Sequence, residues 1–227
     1  MLKLGDKNIS KLYLGNKSII KAFLGNKLVF QAGGRFVESI ISDRSSGKNY
    51  IDTNIKPSYD YTVKMKFQYT DVSDIYNPIF GTRLQAVATG NNVFWCGYSG
   101  YTLMLRFGGN SINYEFNSSQ IIELEASPSG VFVNGVDTGA RYYDGEVASN
   151  MRNITLFGVG DASINGIISG MGNANAQVYY YQVLDKEGKA IQDLRPYVDE
   201  NGTACFKDIV TGNLFYNQGT GTLIYTE

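Results

Sequence analysis

Histidine is absent from the 227 residues. The commonest general base and the commonest transition-metal ligand are therefore missing, and no Ser/His/Asp or Cys/His nucleophile system can be assembled. Cysteine is nearly absent too: Cys96 and Cys205 are the only two, each inside an apolar stretch. Both read as reduced core thiols, with a disulfide between them as the alternative. No apolar run is long enough to span a bilayer, so membrane insertion is not expected. The first residues lack the charged, apolar and small-residue order of a signal peptide, an expectation against export. Net charge is only −1, so no general attraction to nucleic acid or an anionic membrane is expected.

What is present points to β-structure. Four prolines stand against 17 Tyr, 12 Phe and 26 Gly, and aromatic residues suit pleated, half-buried surfaces while glycines supply turns. The first thirty-one residues repeat with a period of ten: Leu4-Gly5-Asp6-Lys7, Leu14-Gly15-Asn16-Lys17 and Leu24-Gly25-Asn26-Lys27 fall in register. Gly followed by Asp or Asn tolerates the positive φ of a tight hairpin, so each copy reads strand, turn, strand. The expectation is a short β-meander of about four strands, with a row of lysines on its wet side. Its apolar residues, Leu12, Tyr13, Leu14, Ile19, Phe23, Leu24, Val29 and Phe30, are candidates for assembly. A ribbon this small is marginal in water alone. It must lie on the following domain, on copies of itself or on another protein.

Gln31-Ala32-Gly33-Gly34 forms the joint, which divides the chain into a ribbon, 1–33, and a main domain, 34–227. In the latter, Tyr61–Tyr69 alternates with Val63, Met65, Phe67 and Tyr69 on one face and Lys64, Lys66 and Gln68 on the other, a half-buried antiparallel strand. Further strands are expected at Phe36–Ile41, Pro78–Arg83, Asn92–Tyr98, Tyr101–Phe107, Ser111–Phe116, Gln120–Glu125, Asn153–Val159 and Ala176–Leu184, the spacing of a sandwich. Asn134-Gly135 is a hairpin turn between Val131-Phe132-Val133 and Val136-Asp137-Thr138. No segment carries a helical period. The fold class is all-β: two packed antiparallel sheets, closed by a last strand that returns beside the first ones.

Four stretches carry a resemblance. Tyr50-Ile51-Asp52-Thr53-Asn54-Ile55-Lys56-Pro57, Ile79–Arg83, Tyr179–Asp185 with Asp193–Pro196, and Phe206-Lys207-Asp208 with Phe215–Gly221 resemble motifs of laminin-G-like, concanavalin-A-like jelly rolls of gut bacteria and their phages. Asn54 stands where many relatives have Gly, and Tyr197 where they often have Cys. The decapeptide ribbon resembles the β-repeats that open many phage tail and fibre proteins. The resemblance implies a virion protein, a capsid- or tail-attached fibre or decoration subunit made in the host cytoplasm. It implies other virion proteins as partners of the ribbon, a homo-oligomer (a trimer), and a displayed jelly roll that binds host-surface or mucosal glycans. The alternatives are a bacterial surface or secreted lectin and a glycan hydrolase.

Candidate chemistry is sparse. Hydrolases of this architecture need two carboxylates about 5–9 Å apart; Glu123 and Glu125 share a strand face and are the nearest candidates, but a wet strand face is the favoured reading. Sugar binding calls for an aromatic platform with polar side chains beside it. Phe94-Trp95-Cys96-Gly97-Tyr98-Ser99-Gly100-Tyr101 is the richest such stretch, and Trp95, Tyr98 and Tyr101 with Arg83 are the candidate carbohydrate site. Trp95 has a second reading as a core tryptophan, and Arg83 as a structural ion pair. No cofactor is expected. Calcium is the exception to consider, with Asp71, Asp74 and Asp161 as loop ligands, although a plain surface turn is the favoured reading of their spacing.

Overall fold

The computed structural model describes residues 33–72, 76–84, 92–99, 102–108, 111–117, 120–161, 166–167 and 174–227, together with the backbone of six ribbon strands. The ribbon strands pair two by two: Lys3–Leu4 with Lys7–Asn8, Leu12–Leu14 with Lys17–Ile19, and Lys21–Leu24 with Lys27–Gln31. The closing pairs Leu4–Lys7, Leu14–Lys17 and Leu24–Lys27 each leave a Gly-Asp or Gly-Asn dipeptide between them, as a two-residue hairpin requires. The result is three hairpins rather than one four-stranded meander, and among the described residues no ladder joins a hairpin to its neighbour or to the main domain. All eight candidate assembly residues lie on these strands.

The main domain is all-β. Its larger sheet has eleven strands, running from the Gly130–Asp137 hairpin through Ile122–Ser127, Thr62–Tyr69, Ala176–Leu184, Ala190–Val198 and Ala204–Asp208 to Leu214–Phe215. The second sheet has eight, ordered Ser111–Tyr114, Thr102–Phe107, Val93–Ser99, Tyr76–Arg83, Thr155–Leu156 and Ile51–Asp52, with Gly160–Asp161 and Gly166–Ile167 beside them. Pairing is antiparallel except for a short parallel bridge between Thr82–Arg83 and Gly160–Asp161. The inward faces meet in one core, in which Phe67 and Tyr181 of the larger sheet pack with Phe80, Phe94 and Phe107 of the second. No α-helix occurs among the described residues, and none is long and apolar enough to cross a membrane.

Local chemistry explains the elements. Thr62–Tyr69 buries every second side chain, as its alternation dictates. Asn134 and Gly135 take φ of 51° and 78°, the left-handed pair that a tight hairpin needs. The expected strand Phe36–Ile41 is broken, because its middle changes neighbours: the Val37 N–H donates to the Pro196 carbonyl and the Glu38 N–H to the Thr226 carbonyl. The long strand Ala190–Val198 is not among the strands expected from the sequence. Buried polar residues, Gln192 and Asp193, conceal its alternation. Leu223–Thr226 does return beside Ser39–Ser42, in the register Leu223–Ser42 to Thr226–Ser39. Cys96 and Cys205 are buried and free. Tyr197 stands directly across the ladder from Cys205.

Candidate functional site

The Trp95 region is closed. Strand parity sends Phe94, Cys96 and Tyr98 into the core and Val93, Trp95 and Gly97 to the outer face of the second sheet. There Trp95 joins Val93, Val159 and Met104 in a small separate cluster and is 3% exposed. It lies against two glycines, since a Cβ on Gly81 would fall 2.2 Å from the Trp95 Cβ and one on Gly97 would fall 2.8 Å from its ring. Arg83 shares this outer face but is 8% exposed, and its Nε donates to Asp161 Oδ2 at 3.0 Å. Tyr98 packs between Tyr69 and Phe116 in the main core, and Tyr101 lies outside the described residues. The three described candidates are therefore divided between two faces of the sheet, and they offer a sugar no open ring face.

The carboxylates tell a similar story. Glu123 and Glu125 stand opposite Lys66 and Lys64 on the larger sheet and form ion pairs of 3.1 and 2.9 Å. Beside them, Tyr180, Phe132 and Gly135 outline a shallow depression of about 460 Å³. Of the candidate calcium ligands, Asp161 is held in the buried Arg83 pair, Asp71 accepts a 3.3 Å bond from Asn175, and Asp74 lies outside the described residues. No cluster of three or more His, Cys, Asp or Glu suited to a metal occurs among the described residues.

The open feature lies elsewhere, where two of the distinctive stretches meet. Ile51, Thr53 and Pro57 point inward, so Tyr50, Asp52, Asn54 and Lys56 line one side of a cleft of about 510 Å³. Leu214, Phe215, Tyr216 and Gln218 form the opposite wall, and Arg152, Asn153 and Thr155 complete it. Each wall is fixed from behind. Asp52 Oδ1 accepts the Asn54 N–H at 2.8 Å and the Asn153 amide at 3.0 Å, which closes a turn with Asn54 at φ 60°. Asn tolerates that backbone, as Gly does. The Lys56 ammonium donates to the Met151 carbonyl.

Asn217 fastens the two walls together. Its side-chain oxygen accepts the N–H groups of Tyr50 (3.0 Å) and Gly219 (2.9 Å), and its amide donates to Asn49 Oδ1 (2.8 Å) and the Gly221 carbonyl (2.7 Å). The Gln218 N–H adds a 2.9 Å bond to the Tyr50 carbonyl. Gly219 admits the close approach, for a Cβ there would sit 1.9 Å from the Lys48 carbonyl oxygen. Tyr216 donates its hydroxyl proton to Asp199 at 3.0 Å. Burial and that carboxylate push its pKa up to about 12. The Asp199 carboxyl is held below its ordinary value by the N–H groups of Thr203 and Asn201 and by Tyr216, against the opposing effect of burial.

Chemically, the cleft is equipped for binding. Asp52 is the one carboxylate among its described lining residues, whereas glycoside hydrolysis uses a facing pair. The signal in the sequence was the period-two polar face of Tyr50–Lys56, which stood in plain view beside a more conspicuous aromatic run. Fold and site together define an all-β sandwich with an open polar cleft. No protein-family model matches the chain, and no curated protein matches it.

Proposed function

We propose that this chain is a non-enzymatic phage structural protein, a capsid- or tail-attached fibre or decoration subunit that displays a glycan-binding β-sandwich. The observation that carries the reading is the ribbon: three tandem hairpins that share no ladder with either sheet among the described residues. Two-stranded units do not bury enough surface to stand alone, so a ribbon of this kind needs a surface to pack on: its own sandwich, further copies of itself or, as this reading has it, another virion protein. A displayed domain then gains affinity through copy number, so weak single sites suffice.

Light scattering on the full chain and on residues 34–227, which contain both sheets, tests this. An oligomeric full chain beside a monomeric fragment is the expected result. Equal monomer masses exclude self-assembly, and the ribbon then either packs on its own sandwich or docks to a different virion protein. Absence of the chain from purified particles overturns the reading.

A further inference from the structure

We infer that the cleft between Tyr50–Lys56 and Leu214–Gln218 is the glycan site, and that its ligand is a sugar bearing a carboxylate, such as a uronic or sialic acid residue. The inference rests on the glycan-display reading above and replaces the Trp95 region as the location of binding.

Size and shape come first. At about 510 Å³ the cleft falls within the range of small-ligand pockets, roughly 300–1,000 Å³. Tyr50 on one side and Phe215 and Tyr216 on the other are half-buried, so their rings are fixed yet still reachable, as stacking on a sugar face requires. Beside them stand amide, carboxylate and cationic groups, the donors and acceptors that fix hydroxyls in place.

Charge then selects among sugars. Lys56 and Arg152 line the cleft against the single carboxylate of Asp52, whose Oδ1 already accepts two hydrogen bonds. One of the three donors of the Lys56 ammonium is given to the Met151 carbonyl, which anchors the charge at the cleft. An excess of one positive charge among the described lining residues, in a chain of net charge −1, is a local preference for an anion. Finally, the walls are rigid. Asn217 ties them together, and Asp199 sets the Tyr216 ring, so little ordering remains to be done on binding.

The test is an NMR titration of the isotope-labelled full chain with galacturonate, N-acetylneuraminate, galactose and acetate. Two variants, Lys56→Gln and Gln218→Glu, are titrated in parallel. Both positions are exposed, and retained amide dispersion verifies their folding. The expected result is saturable shifts around Tyr50 and Gln218 with one or both acidic sugars, and neither galactose nor acetate matching them. Each variant should weaken that binding about tenfold, equivalent to about 1.4 kcal/mol.

Acidic-sugar binding that both variants leave unchanged overturns the location while glycan display stands. Equal binding of galactose overturns the acidic class. Equal binding of acetate shows that the aromatic rings contribute nothing and overturns the sugar assignment. A full chain that binds no sugar, either here or as a multivalent display on a glycan array, removes the glycan-display reading itself.

Discussion

Two aromatic regions of this molecule invite comparison: the run around Trp95 and the cleft rings Tyr50, Phe215 and Tyr216. The first is denser in sequence, yet its rings are divided between the core and a covered outer cluster. The second is assembled from segments far apart in the chain and stays open. Clustering along a strand sends successive side chains to opposite faces. A usable surface came instead from alternate residues of one short stretch, held against a distant loop by one asparagine.

The comparison can be broken most severely at the clamp. Gly219→Ala places a methyl group on the Lys48 carbonyl, and we expect a loss of more than about 5 kcal/mol, read as failure to recover folded protein. Trp95→Ala should cost about 4 kcal/mol in urea unfolding, because it empties a packed cluster. The folded fraction should bind sugar as before; loss of binding without loss of stability would restore Trp95 as the platform. Asp161→Ala leaves Arg83 without its buried carboxylate partner and should cost about 3 kcal/mol in the same assay.

Alkaline titration sharpens the contrast from the side of the clamp. Burial pushes the Cys205 thiol from 9.0 up to about 12, raises Cys96 well above 9.0, and moves Tyr216 from 10.0 to about 12. In each case the folded state favours the protonated form. That stability is fully present below the unfolded value and is lost as pH rises toward the folded one, at about 1.4 kcal/mol per pH unit for each buried thiol and less, through solvent screening, for the more accessible Tyr216 hydroxyl. The urea midpoint should therefore begin to fall near pH 9 and fall more steeply above 10. Cys205→Ala should remove about half of the first decline. The smallest effect is expected on the wet face, where Lys64→Ala removes an exposed cross-strand pair with Glu125 and should change stability by about 0.5 kcal/mol.

Much of the fold was legible. Alternation in Thr62–Tyr69, the Asn134-Gly135 turn, the Gly-Asp and Gly-Asn hairpins and the returning last strand all follow from local rules. The broken Phe36–Ile41 strand was not legible, because its interruption depends on which distant carbonyl each N–H meets. Nor was Ala190–Val198, whose buried Gln192 bonds the Thr53 carbonyl at 2.7 Å and so reads as polar in a linear scan. The site was less legible than the fold. Parity could have warned that Trp95 and Tyr98 part company, but the cover over Trp95 comes from Val159, a contact that only tertiary packing reveals.

The placing of Ser39–Ser42 has a consequence in time. It is flanked by Ala176–Leu184 on one side and Leu223–Thr226 on the other. During synthesis this early strand emerges long before either neighbour, with Ile40, destined to be fully buried, facing water meanwhile. Pairings of such long sequence separation form slowly and leave strand edges open to other chains. The larger sheet thus stays incomplete until Leu223–Thr226 has been made, and slow refolding that yields more native protein at low concentration is the kinetic signature to expect.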